Sequence, residues 1–343
     1  MSRLHDRLAD GPVICAEGYL FELERRGYLQ AGAFVPEVVL EHPEVVAQLH
    51  REFVHAGSDV VEAFTYYAHR EKLALIGRER DLEAINRQAL QVAADVAAEQ
   101  SSLLAGNICN TNIFEPGDRS SHDTARAMFA EQVGWAAQAN VDFVIGETFS
   151  YAQEALIALE VVKAAGLDAV ITLCVHRAVD TREGWTVEAA CRRLEDAGAD
   201  VVGLNCIRGP RTMMPLIERI RAAVSGPVAA LPVPYRTTEA EPTFQSLTDP
   251  AAEIPGGRPF PVALDPFTCN RYEMGKFASA ADALGVNYLG VCCGAGPHHI
   301  RAVAEALGRT PPASRFSADM TRHAYFGTNE KLKPLNQAFA QEL

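Results

Sequence analysis

Basic charge is scarce in this 343-residue chain: 31 lysines and arginines stand against 44 aspartates and glutamates, a formal net charge of −13. Nucleic-acid binding rests on basic patches that neutralise phosphates, and no such patch stands out, so that class of partner is excluded. Long hydrophobic runs are also missing. No apolar stretch approaches the roughly 18 residues of a membrane helix. The opening MSRLHDRLADGPVICAEGYLF has no basic segment followed by an apolar run and a small-residue cleavage site. A cytoplasmic protein without a membrane partner is expected. No G-x-G-x-x-G follows the first apolar run, which argues against a dinucleotide site. The eight cysteines (15, 109, 174, 191, 206, 269, 292 and 293) contain no C-x-x-C pair. In a reducing compartment they stay as thiols, and the informative ones are those with metal or catalytic geometry.

What is present is an alternation. Short apolar runs rich in Val, Ile and Phe occur at 12–18, 57–67, 103–109, 140–149, 168–175, 198–206, 227–233 and 285–293. Such runs read as strands buried on both faces, as in parallel sheets. Segments with apolar residues three and four apart follow them, at 36–56, 82–100, 123–139, 152–165, 186–197, 211–224, 271–284 and 297–307. That spacing marks one-sided helices. Eight strand–helix units predict an α/β fold, a (β/α)8 TIM barrel over residues 1–310. A doubly wound open sheet is the competing arrangement. Residues 234–262 form a polar, Pro-, Gly- and Thr-rich insertion between the seventh strand and its helix, a length that suits a functional or disordered loop. Residues 311–343 form a C-terminal tail suited to an oligomer contact.

In such a barrel the chemistry sits at the C-terminal ends of the strands. Cys206 ends the sixth strand, and Cys292 and Cys293 end the eighth, in GVCCGAGPHHI. Three thiolates at the barrel mouth would hold zinc with its fourth position open to a substrate. Adjacent side chains on a regular strand point to opposite faces. Both sulfurs reach one metal only if the backbone leaves strand geometry, which Gly294 and Gly296 would permit. Buried cysteines are otherwise small hydrophobes, which is the expectation for the remaining five. For the 206/292/293 set, on position alone, both readings stand. His298 and His299 fall where a helix starts and are expected to serve it; His69 and His176 are weaker candidates as ligands.

The motifs GLNC (203–206) and GVCCG (290–294) resemble the zinc signature of the homocysteine S-methyltransferase family. The stretch 21–73, NVDFVIGETF (140–149) and the segment from Gly290 to Leu307 resemble its betaine–homocysteine S-methyltransferase branch. The resemblance runs over residues 10–310. It implies zinc held by Cys206, Cys292 and Cys293, homocysteine sulfur at the open position, and a methyl group from an onium donor, giving methionine. It assigns Glu147 to the homocysteine ammonium, and Gly18 and Tyr19 to backbone contacts near its carboxylate. Asn205 lies in the cysteine motif and joins the substrate-binding set. The family's Asp-Gly-Gly appears as Ala16-Glu17-Gly18, so Glu17 is the nearest acid to a missing aspartate. Of the aromatic cage for the donor, Tyr67 matches, while Phe34 stands for a tryptophan and Thr148 for a tyrosine. Glu62-Ala63 replaces a Gln-Thr pair. Tyr66, Phe149 and Tyr151 offer replacement rings. These departures point away from glycine betaine, towards a sulfonium or another trimethylammonium donor. The branch's long C-terminal extension, which wraps a partner subunit, has only the short tail opposite it, so a homo-oligomer is expected to be held more simply. The competing function is a zinc barrel that binds a thiol or an onium compound without turnover.

Overall fold

The computed structural model describes residues 2–251 and 253–343. Eight parallel strands close into a barrel in sequence order. They are β1 (Val13–Ala16), β2 (Val60–Glu62), β3 (Leu103–Cys109), β4 (Phe143–Phe149), β5 (Asp168–Leu173), β6 (Val201–Asn205), β7 (Val228–Leu231) and β8 (Tyr288–Val291). Pairing of Val13 with Tyr288 and of Ala16 with Val291 closes the ring. This is the expected (β/α)8 architecture and not the open sheet. Every strand is buried along almost its whole length, which is why each reads as an unbroken apolar run.

Helices surround the barrel, and local chemistry sets where several begin. Pro43, Pro210 and Pro297 open their helices at positions whose backbone N–H would have no helical partner. The Thr186 side chain accepts from Ala189 N–H, and Asn270 accepts from Tyr272 and Glu273 N–H, with Glu273 reaching back to Asn270. Three helices were not expected, Arg70–Ala74 after β2 among them. Arg3–Ala9 buries Leu4 against Val13, Val60, Leu103 and Tyr288, plugging the N-terminal end of the barrel. Tyr19–Arg25 follows β1 directly at the opposite end.

The strands end earlier than the apolar runs suggest. β2 stops at Glu62 and β8 at Val291, although the runs continue to Tyr67 and Cys293. The backbone turns there to form the mouth. Tyr67 (φ 60°), Cys206 (φ 56°) and Ile207 (φ 61°) lie just beyond strand ends in the left-handed region that side chains with a Cβ disfavour. Gly294 (φ 93°) makes the turn after Cys293. Gly296, expected to share that role, has φ −105° and caps the following helix, so no special freedom is needed there.

The long insertion folds over the mouth. Tyr235 and Phe244 are buried with their rings 6.0 Å apart, and Phe244 meets Phe260 edge-on at 4.9 Å. The tail carries a helix, Pro334–Phe339, and exposed Phe316, Met320, Phe326 and Leu335. No described helix is long and apolar enough to cross a membrane.

Candidate active site

A regular strand would split Glu147 from Thr148, one facing the barrel axis and the other the helices. The pairing of β4 with β5 shifts register between Gly146 and Phe149, and Thr148 adopts φ 60°. This bulge turns both side chains to the same interior point: the Thr148 hydroxyl donates to Glu147 Oε2 at 3.0 Å. Asn205, at the end of β6, joins them. Its Nδ2 donates to Glu147 Oε2 at 2.7 Å and lies 2.9 Å from Thr148 Oγ1 and 3.2 Å from Glu17 Oε2, while its Oδ1 accepts from Thr148 N–H at 2.9 Å. On the other side Asn107 Nδ2 donates to Glu147 Oε1 at 2.7 Å and to Glu62 Oε1. Three carboxylates, Glu17, Glu62 and Glu147, are thus gathered in a buried polar core. Burial pushes all three above the usual carboxylate range, with Glu147 raised to about 7.

Cys206, Cys292 and Cys293 come together beside this core. Their sulfurs lie within 4.8 Å of one another, close enough to ligate one metal ion. Cys292 and Cys293 Sγ are 3.9 Å apart although the residues are neighbours in sequence, because the turn at Gly294 carries Cys293 back inward. A Cβ on Gly294 would fall 2.2 Å from Tyr235 Oη, so the insertion packs directly on that turn. Hydrogen bonds from Cys206 and Cys292 pull Cys293 down to about 6, while burial pushes Cys292 up. The hydrogen bonds thus favour the thiolate form at Cys293 over its two neighbours.

Above the sulfurs opens a cavity of about 540 Å³. Its lining includes Phe34, Tyr66, Tyr67, Tyr151, Phe244 and Phe260, with Thr148, Cys206 and Cys293 at its base and Arg182 and His176 also on its wall. Below it a chamber of about 20 Å³ is bounded by Glu17, Tyr19, Glu62, Asn107, Glu147 and the sulfurs of Cys292 and Cys293.

The residues singled out in the sequence fall as follows. Glu17, Tyr19 and Glu147 line the chamber, and Phe34, Tyr67 and Thr148 line the cavity. Gly18 packs against Ala295, where a Cβ would meet the carbonyl oxygen at 2.3 Å. One face of Tyr67 is covered by Lys72, whose Nζ lies 4.0 Å from the ring centroid, and Tyr66 lies 4.2 Å away. Of the three replacement rings, Tyr66 and Tyr151 reach the cavity; Phe149 points into the core against Phe129. His299 serves its helix: Nδ1 accepts from Gly296 N–H at 3.1 Å, and Nε2 donates to the Cys269 carbonyl at 3.0 Å. The other five cysteines are buried free thiols.

Sequence reasoning passed over Asn107, Phe244 and Phe260. Asn107 had a signal, an amide in the middle of the apolar run LLAGNIC. The two phenylalanines had none, since the insertion has no period.

Fold and site together define a class, a (β/α)8 barrel whose catalytic end carries a metal-competent cysteine trio under an aromatic cavity. Residues 14–307 match the homocysteine S-methyltransferase family, and the chain belongs to it and is a methyltransferase. It is 37% identical over 346 residues to betaine–homocysteine S-methyltransferase 1 of Danio rerio, covering 98% of this chain and 83% of that one. It is 36% identical over 322 residues to S-methylmethionine–homocysteine S-methyltransferase of Pongo abelii, covering 90% and 83%. Among solved structures, the metallated form of an Escherichia coli homocysteine methyltransferase superposes with a TM-score of 0.67 at 17% identity, covering 88% of this chain and 98% of that one, which shows the shared fold.

Proposed function

We propose that this protein is a zinc-dependent homocysteine S-methyltransferase that takes its methyl group from an onium donor and yields methionine. The observation that carries the reading is the cysteine trio, set between an aromatic cavity and an acid-lined chamber. The donor set suits zinc. Sulfur ligands about 2.3 Å from a tetrahedral ion lie about 3.8 Å apart, and Cys292 and Cys293 are at 3.9 Å. Coordination at Cys206, Cys292 and Cys293 would supply a deprotonated acceptor sulfur at neutral pH.

The chain's own residues do the rest. Glu147 and Glu17 accept the ammonium of homocysteine, and the backbone of Gly18 and Tyr19 lies near its carboxylate. The cavity rings turn their negative faces to the cationic donor and keep water from the reacting sulfur. An electron pair on the acceptor sulfur forms the new S–CH3 bond. The donor's bond to that methyl breaks with its electrons left on the nitrogen or sulfur, so the donor's cationic charge is lost.

The large cavity, Thr148 at its base and Lys72 over the Tyr67 ring all favour a sulfonium or a betaine bulkier than glycine betaine. The relatives use both kinds of donor by name, S-methylmethionine and betaine. The exposed apolar side chains of the tail support an oligomer contact there.

The test is methionine formation from homocysteine with a panel of onium donors competing at equal concentration, alongside elemental analysis. About one zinc per chain is expected, lost in Cys206→Ser, Cys292→Ser or Cys293→Ser together with activity. A donor other than glycine betaine should have the highest kcat/KM. Metal-free reduced wild-type protein that still turns over would overturn the zinc reading, and victory for glycine betaine over the whole panel would overturn the donor assignment.

A further inference from the structure

The small chamber beside the cysteines holds more acid than its neighbours in the fold can use. Glu62 enters it from β2, 2% exposed, and Glu17 from the end of β1, 6% exposed. Glu62 Oε2, Glu17 Oε1 and Asn107 Oδ1 are all buried without a hydrogen-bond partner. The Asn107 amide has no freedom to turn round. Its Nδ2 donates to both Glu62 and Glu147, so Oδ1 must remain an open acceptor. Buried acceptors left unpaired are costly to keep in a fold. Three such atoms around one chamber mark a place built for something that donates and carries positive charge.

The space limits what that is. About 20 Å³ is room for a single water-sized group, which an ammonium matches in size and in its three donors. The apolar walls, Leu20, Ala63 and Phe64, leave no space for a guanidinium or a hydrated ion. Cys292 and Cys293 form another wall, and one oxygen each of Glu17 and Glu147 lies within 4.8 Å of Cys292 Sγ. A ligand with a thiol and an amine a few bonds apart can therefore place its sulfur at the trio and its nitrogen in the chamber.

We propose that Glu62 is a substrate-binding residue that takes the ammonium of the amino-acid thiol together with Glu17, Glu147 and Asn107. It supplies from β2 the acid that Ala16 does not supply from β1. The two strands are neighbours, with Cys15 opposite Val60, so a carboxylate on either one reaches the same space. The inference rests on the reading of the protein as acting on homocysteine. Its consequence is selectivity, since a site with dedicated acceptors rejects ligands that cannot fill them.

The experiment compares homocysteine with 4-mercaptobutyrate, the same thiol acid without the amine, by calorimetric titration of the zinc-loaded protein. Wild type should prefer homocysteine by at least a hundredfold. Glu62→Gln keeps the shape and removes the charge, and should cut that preference at least tenfold, mainly by weakening homocysteine. Glu62→Asp keeps the charge on a shorter arm and should fall between the two; it also serves if the glutamine variant does not fold. An unchanged preference in both variants overturns the proposal, as does equal loss of both ligands. Loss of a second equivalent of metal from Glu62→Gln would also overturn it, by making the chamber a cation site. Wild type that shows the amine preference and transfers no methyl group from any donor would sink the methyltransferase reading and leave the role of Glu62 standing.

Discussion

Glu147 receives three side-chain hydrogen bonds, from Asn107 at 2.7 Å, Asn205 at 2.7 Å and Thr148 at 3.0 Å. Those donors fix the carboxylate before any ligand arrives, so the proposed binding of an ammonium there would need little reorganisation. A charged hydrogen bond of this type contributes about 1.5–3 kcal/mol. Glu147→Ala should raise the KM for homocysteine roughly ten- to hundredfold and leave the donor KM little changed in steady-state kinetics. An unaltered homocysteine KM would remove Glu147 from the acceptor site. His299 gives a residue-scale prediction about stability. Burial, with His298 beside it, pushes it down to about 3, below the ordinary value of 6.5, and the neutral ring leaves Nδ1 free to accept from Gly296 N–H. The unfolded state then binds more protons between pH 6.5 and 3. Stability from the neutral ring is complete above pH 6.5 and declines as the pH falls through that window. At pH 5 the loss is about 2 kcal/mol. The stability difference between wild type and His299→Gln, measured by urea unfolding, should therefore shrink by about that amount between pH 7.5 and pH 5. A difference that stays constant would mean that the ring is not held neutral.

Elements matter here mainly where they stop being regular. Strand geometry alternates side chains, yet the site needs consecutive residues on one side in two places, Glu147-Thr148 and Cys292-Cys293. The bulge in β4 solves the first, with Thr148 at φ 60°. The turn at Gly294 solves the second. Backbone in such regions costs roughly 1–3 kcal/mol per residue with a Cβ, and that cost falls at the catalytic end of the barrel. Gly294→Ala would add this strain and drive a methyl into the Tyr235 hydroxyl. Zinc content and thermal stability should both fall, and the Cys292–Cys293 pair should become easier to oxidise once freed. Normal metal loading in that variant would show that the turn can move without disturbing the thiols.

Across the whole molecule the two ends of the barrel are divided between stability and chemistry. The N-terminal end is filled by Leu4, Val13, Val60, Leu103, Phe143, Val201 and Tyr288, in a core that includes none of the cysteine trio. Leu4 comes from outside the repeating units, on the helix that plugs the barrel. Leu4→Ala should cost about 2–5 kcal/mol, seen as a lower denaturant midpoint, with both KM values unchanged. A change in KM would mean that the plug is coupled to the mouth.

By itself the sequence determined the barrel, because parallel strands buried on both faces must be apolar throughout and their helices must be apolar on one side. It also marked Cys206, Cys292 and Cys293, since thiols at strand ends of such a fold share one face whatever their separation along the chain. Three helices, Arg3–Ala9, Tyr19–Arg25 and Arg70–Ala74, escaped it, being short and outside the alternation. Only the tertiary structure decided what surrounds the thiols. The Asn205–Glu17 contact spans 188 residues, and no spacing encodes it. Phe244 and Phe260 reach the cavity from an aperiodic insertion whose path depends on packing against Tyr235 and Phe21. In the sequence Glu62 stood out only as half of the Glu62-Ala63 pair that replaces Gln-Thr. Its meaning comes from closure of the barrel, which sets it beside Glu17, Asn107 and Glu147 in a space too small for water to satisfy them all.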